Sequence, residues 1–145
     1  MKCLLASTAI LIAAVLVAWP QGSSTVTYVS HDKVNAALAK GGSLVTAPDL
    51  LVSGSHRTGP GKVEWHERET DVLYVTDGEA TFITGGTMVG GQTTKPGQKL
   101  GTDIHGGETH HLTKGDVIVI PAGIPHWFKE VPRSITYYVD KVLKQ

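Results

Sequence analysis

The densest chemical signal in the sequence runs from Gly115 to His126 and reads Gly-Asp-Val-Ile-Val-Ile-Pro-Ala-Gly-Ile-Pro-His. Gly115-Asp116 turns the chain into a strand, Val117 to Ile120 is apolar on both faces, and Pro121-Ala122-Gly123 turns it again. His126 then opens the next strand. A histidine fixed on rigid backbone just past a tight turn is well supported as a ligand. A second pair of chemically capable side chains is Glu64 and His66. They stand two apart in a strand-like stretch, so they point to one face while Val63 and Trp65 point to the other. A third cluster spans His105 to His111 and holds three of the seven histidines. His110 and His111 are adjacent, so only one of them can face the inside of a sheet. An exposed polar edge strand is the expectation for this segment, and an added ligand or general base beside a pocket is the alternative.

These residues need a scaffold, and the sequence describes one. The chain has 145 residues, 13 Lys plus Arg against 13 Asp plus Glu, 17 Gly and 7 Pro. That length fits a single domain with its own core. Neutrality argues against a nucleic-acid partner, which would call for a basic excess. The only Cys is Cys3, and it precedes an uncharged run from Leu4 to Ala18 that ends at Trp19-Pro20. Basic start, short apolar stretch and small residues describe a secretory signal peptide over residues 1–22, with one domain over residues 23–145. Loss of that segment leaves no cysteine, which excludes disulfides, thiolate catalysis and Cys-based zinc sites. It also predicts a secreted or periplasmic protein with no membrane attachment after cleavage.

The expected elements are mostly short strands between glycine turns. Thr25 to Val29 alternates as a strand. Ser30 caps the one convincing helix, which carries Val34, Ala37 and Leu38 on one face and stops at Gly41-Gly42. Ser43 to Val52 reads as strand and turn. Lys62 to His66 and Asp71 to Thr76 are strands, with Asp77-Gly78 as a hairpin turn into Glu79 to Thr84. Gly90 to Gly107 reads as a long glycine-rich loop. Glu108 to Thr113, Asp116 to Ile120, Pro125 to Lys129 and Ile135 to Val142 complete the set. The pattern predicts an all-β sandwich or barrel.

The spacing G-x5-P-x-G-x2-H, at Gly115, Pro121, Gly123 and His126, resembles the second motif of the cupin superfamily. Glu130 stands where that motif usually ends in Asn. The first motif, G-x5-H-x-H-x3or4-E-x6-G, is degraded here. Its best fit begins near Gly59 and closes on Gly78, which sets Asp71 at the Glu position, His66 at the second His and Glu64 at the first. A looser likeness is to small exported bacterial cupins with a GGETH-type segment, here Gly106 to His110. The resemblance implies a double-stranded β-helix, a jelly-roll barrel, with one short N-terminal helix. It also implies that His66, Asp71, His126 and Glu64 converge inside it on a divalent metal.

Two imidazoles with one or two carboxylates make a hard nitrogen and oxygen site, suited to Mn, Fe, Ni or Zn rather than to copper(I). Phe128 shares parity with His126; core packing is its first expectation and cavity lining the second, and His110 or His111 are the further pocket candidates under the alternative for their segment. Three functions stay open. One is a metal-dependent enzyme of lyase, isomerase or dioxygenase type acting on a small organic substrate. The second is a metal-free barrel that holds a sugar or an aromatic acid without catalysis. The third is a mainly structural or storage-like role with no ligand. Pairing of Thr25 to Val29 and the final strand across a homodimer is a further expectation.

Overall fold

The computed structural model describes residues 25–144. The expected export segment, residues 1–22, lies outside them. One helix, α1 (His31–Lys40), precedes twelve strands: β1 (Gly42–Thr46), β2 (Leu50–Arg57), β3 (Val63–His66), β4 (Glu69–Thr84), β5 (Thr87–Val89), β6 (Gln92–Lys95), β7 (Gln98–Gly101), β8 (Asp103–His105), β9 (Glu108–Thr113), β10 (Val117–Ile120), β11 (His126–Glu130) and β12 (Ile135–Leu143). The described chain is an all-β barrel with a single helix, as the alternation and turn residues predict.

The long strand β4 joins the two walls of the barrel. Its first part pairs with β12 and β10, in a sheet ordered β1-β2-β12-β4-β10. Its last part, Glu79 to Thr84, pairs with β9 and β11, in a sheet ordered β9-β4-β11-β3-β7-β6. The expected Asp77-Gly78 hairpin is therefore corrected: the strand bends here and does not reverse. Thr136 lies opposite Asp77 and Tyr137 opposite Val75, which leaves Thr76 as an extra residue in a bulge. Thr76 Oγ1 donates to Thr136 O at 3.0 Å and holds that bulge. One inserted residue switches the inward parity from odd positions (Asp71, Leu73, Val75) to even ones (Ala80, Phe82), and all five are buried. Gly78 has φ +79°, and a Cβ there would stand 2.0 Å from Ser134 O, so only glycine fits the corner.

The barrel interior packs Phe82, Ile135, Val75, Leu73, Ala80, Leu112, Ile120 and Phe128 into one core. A second, smaller core lies outside the β4–β11–β3 wall. There Val63, Ile83 and Trp127 are covered by Met88 and Ile104 from the β5–β8 pair. The segment expected as a loop over Gly90 to Gly107 is thus corrected to three strands, β6 to β8. Gly97 turns the β6–β7 hairpin, and the β5–β8 pair folds back over an apolar wall.

The other wall is partly covered by α1. Gly54 of β2 lets the helix seat directly, since a Cβ there would meet the Ala37 backbone at 2.7 Å. Ser30 occupies the N-cap position without a side-chain cap bond, and Gly41 ends the helix with its N–H on Ala37 O at 2.8 Å. Thr25 to Val29 forms no strand, contrary to the alternation, and the final strand β12 lies between β2 and β4, so neither segment is the edge strand expected to pair across a dimer. Val26 and Tyr28 are exposed, and alternation makes a strand only where a partner edge is available.

Candidate metal centre

The two motif regions are fastened to each other through the backbone. The turn before His126 donates Gly123 N–H to His66 O at 2.7 Å, while Trp65 Nε1 donates to Gly123 O at 2.9 Å. On the far side Gly61 N–H donates to Phe128 O at 2.9 Å and Trp127 Nε1 to Gly61 O at 2.8 Å. Within β11 and β3, His126 pairs with Glu64. The outward tryptophans thus act as clamps, which is why the inward residues at alternate positions meet.

The structure brings together all four residues that the sequence assigned to the metal. His66 Nε2 lies 3.5 Å from Glu64 Oε2 and 3.5 Å from Asp71 Oδ2, and His126 Nε2 lies 3.5 Å from the same Asp71 oxygen. The imidazole centroids of His66 and His126 are 5.2 Å apart. His66, Asp71 and His126 are all buried, and Glu64 is partly exposed. The ligand atoms of Glu64, His66 and His126 lie within 4.8 Å of one another, as do those of His66, Glu69 and Asp71.

His126 is held ready to bind. Its Nδ1–H donates to Ile124 O at 3.1 Å, which leaves the Nε2 lone pair facing the cluster. Burial pushes this imidazole below its usual pKa, so the neutral form is favoured. Its donor set of imidazole nitrogens and carboxylate oxygens fits a divalent ion of the Mn, Fe, Ni or Zn group.

Three further residues complete the cluster, and sequence reasoning had passed them over. Lys141 on β12 lies directly across from Asp71 in the ladder. Its Nζ donates to Asp71 Oδ2 at 2.7 Å and Oδ1 at 2.9 Å, approaches His66 Nε2 at 3.0 Å, and stands 3.1 Å from Glu69 Oε2. Glu69 also accepts from Gln98 and faces the otherwise unpartnered His66 Nδ1 at 3.6 Å. Arg57 on β2 donates from Nε to Tyr137 Oη at 2.9 Å, pairs with Glu64 Oε1 at 3.4 Å, and lies 4.8 Å over the Phe128 ring. Parity held the clue. Ile135, Tyr137, Val139 and Lys141 alternate along β12, so a lysine follows three core-facing positions.

The charges explain the protonation. Burial opposes ionisation of Glu64 and Asp71, yet both carboxyls sit below the ordinary carboxylate range. His66 is the leading counterweight at each, followed by nearby positive charge that includes Lys141. Burial also disfavours the His66 cation, but its bonds to Asp71 and Glu64 outweigh this and raise it from 6.5 to about 9. Three carboxylates, Glu64, Glu69 and Asp71, face only Lys141 and Arg57, so a proton on His66 balances the cluster. Burial raises the Tyr137 hydroxyl, which stays a neutral acceptor for Arg57.

A cavity of about 160 Å³ opens onto this cluster, lined by Arg57, Glu64, Tyr137, Lys141 and the apolar Leu73 and Phe128 among others. Ser55 leaves the room on β2, because it stands opposite Tyr137 with a side chain too small to fill the wall. Phe128 lines the cavity as its parity implied. His110 and His111 do not. His110 sits on the inner face opposite Phe82 but bonds Thr84 Oγ1 at 2.8 Å, beside a separate cavity of about 210 Å³ walled by Ile118, Ile120 and Ile124. His111 points outward to Glu79 at 3.5 Å, with its side chain 62% exposed. A wider hollow of about 550 Å³ at the β4 corner lies among Asp77, Glu79, Lys114 and Arg133 and contains no histidine.

This combination of a strand-shared barrel, a turn-mounted histidine and an inward His and carboxylate cluster defines a cupin-type double-stranded β-helix. The cupin family profile matches residues 20–138, and the chain belongs to that family. No functionally curated protein matches the sequence. Among solved structures it is similar to a protein from Bacillus halodurans, at TM-score 0.59 and 17% identity over 85% of this chain and 86% of that one. It is also similar to the Cnp3 cupin domain of Schizosaccharomyces pombe, at TM-score 0.52 and 12% identity over 71% and 59%. Peruvianin-I from Thevetia peruviana latex aligns at TM-score 0.43 and 19% identity over 67% of this chain, which spans 52% of its length. At these identities the first two likenesses are ones of fold alone.

Proposed function

We propose that the barrel binds a divalent metal ion through His66, His126 and Glu64, with Asp71 beside them, and presents it to a small organic ligand in the adjoining cavity. The observation that carries this reading is His126: its Nδ1–H is spent on Ile124 O, so its free Nε2 faces a second imidazole and two carboxylates. A bound ion would supply Lewis acidity to a ligand carbonyl or hydroxyl. The chain's own residues do the rest. Arg57 and Lys141 offer donors to an anionic or polar ligand group, and Leu73, Phe128 and Val139 give its body an apolar wall. The cavity volume suits a ligand of small-metabolite size, and reaction types such as lyase, isomerase or dioxygenase chemistry fall within this reading.

Metal analysis tests it. Protein purified from its native compartment should carry a transition metal, and added Mn, Fe, Ni or Zn should raise its melting temperature. Less than about a tenth of an equivalent with no thermal shift would sink the proposal. His126→Ala should abolish uptake.

A second reading is favoured by Lys141. Its ammonium already neutralises Asp71 and Glu69, so the barrel would hold a sugar or an aromatic acid without metal. Export of the mature chain and association into a homodimer belong to the same proposal. Their support is the apolar leader with its basic start and the apolar edge strand β10, where Val117 and Val119 are exposed.

A further inference from the structure

The cluster contains a cation of its own. Lys141 Nζ touches two oxygens of Asp71, approaches Glu69 Oε2 at 3.1 Å, and meets His66 Nε2 at 3.0 Å. This last contact places the ammonium beside the ring nitrogen that a metal would bind. The ladder fixes the lysine there, since β12 sets it opposite Asp71 with Tyr137 and Val139 on the same inward row. We propose that Lys141 is a built-in competitor for the metal, an internal ammonium that holds the donor set together and lowers its affinity for a divalent ion. This rests on the metal reading above.

The physics is a substitution of one cation for another. An ammonium supplies one positive charge and three donors to a set of carboxylates. A divalent ion supplies twice the charge but must displace the His66 proton, reach Nε2 where the lysine head stands, and remain near a repelled ammonium. Lysine has a four-carbon flexible stem, and Lys141 lines the cavity of about 160 Å³, so its head has room to withdraw from His66. The set of residues is therefore closed to weakly held ions and open to those that bind imidazole well.

Calorimetric titration of the chelator-treated full chain with Mn²⁺ and with Zn²⁺ tests this. Lys141→Met should bind at least one of the two ions tenfold more tightly than the native protein. The double variant Lys141→Met/Glu69→Gln removes one charge of each sign and should show a gain of the same kind. It decides the matter if the single variant does not fold. Lys141→Arg keeps the charge and should show no gain. The gain should vanish when His126→Ala is added, which separates the site from adventitious surface binding. If native protein binds metal and both methionine variants bind less than threefold tighter, the competition is wrong and the metal reading stands. If neither the native chain nor any variant binds either ion, the metal reading falls and this inference falls with it.

Discussion

Two zones of the barrel interior are built on the same strands and differ in kind. Beyond the β4 bulge, Phe82, Ala80 and Leu112 meet Ile135 and Val75 in a wholly apolar contact, and Phe82 and Phe128 stack edge to face at 4.6 Å. Before the bulge, the same inward row delivers Asp71, and the far part of β12 delivers Lys141. The first zone draws its stability from area removed from water and from close packing. The second is a set of buried charges whose desolvation is offset only by mutual pairing. His126 stands at the border, 6.1 Å from the Phe82 ring and 3.5 Å from Asp71. The lesson is that strand alternation specifies which residues face inward and says nothing of whether the inward surface stabilises by exclusion of water or by compensation of charge.

The largest effect should come from the apolar zone. Phe82→Ala removes a fully buried ring and should cost about 3–5 kcal/mol in urea unfolding. That cost should be equal at pH 6 and pH 9, and a pH-dependent cost would merge the two zones. Asp71→Asn leaves the Lys141 ammonium short of its closest partner and should cost roughly 3 kcal/mol. Adding Lys141→Met should recover part of the loss, and a double-mutant cycle without coupling would remove the pair from the account.

The pH response comes next. The folded state holds the His66 proton to about pH 9, against 6.5 when free. That contribution is complete below pH 6.5 and is lost as pH rises through about 9, a decline on the order of 1–3 kcal/mol. On the acid side the signs reverse. Asp71 and Glu64 are held below their ordinary range and His126 is held neutral, so stability falls as these groups take up protons. His66→Gln should flatten the alkaline decline in melting temperature, and a native-like slope in that variant would refute the assignment. The smallest effect is Tyr137→Phe, which removes the acceptor for Arg57 Nε and should cost about 1 kcal/mol.

Much of this was legible in the sequence, and the gaps have physical reasons. The turn-mounted His126 was readable because Gly115, Pro121 and Gly123 each impose backbone geometry at fixed spacing. Glu64, His66 and Asp71 followed from parity and from the family resemblance. The Asp77-Gly78 corner was read as a hairpin because the same dipeptide serves a two-residue turn and a bulge. Only the pairing with β12 distinguishes them. The flap over Val63 and Trp127 was missed because its strands are three or four residues long with glycines between them, and its apolar residues Met88 and Ile104 lie on strands separated by the β6–β7 hairpin. Lys141 was missed because a charged residue in a strand is ordinarily solvent-facing; its inward parity was visible, but its partner lies 70 residues away on β4. Arg57 was missed because the alternation marks no strand between Val52 and Lys62, whereas β2 extends to it.

The placement of Lys141 on β12 also governs when the site can exist during folding. Asp71 and Lys141 are separated by 70 residues, and His66 and Lys141 by 75. The helix, the β1–β2 hairpin and the β5–β8 flap can form from neighbouring chain, whereas this ion pair waits for closure of a loop that encloses most of the barrel. Long-range strand pairing of this kind is slow. The three carboxylates therefore spend the early part of folding without their ammonium, mutually repelling, and the docking of β12 is the event that converts them from an obstacle into a clasp.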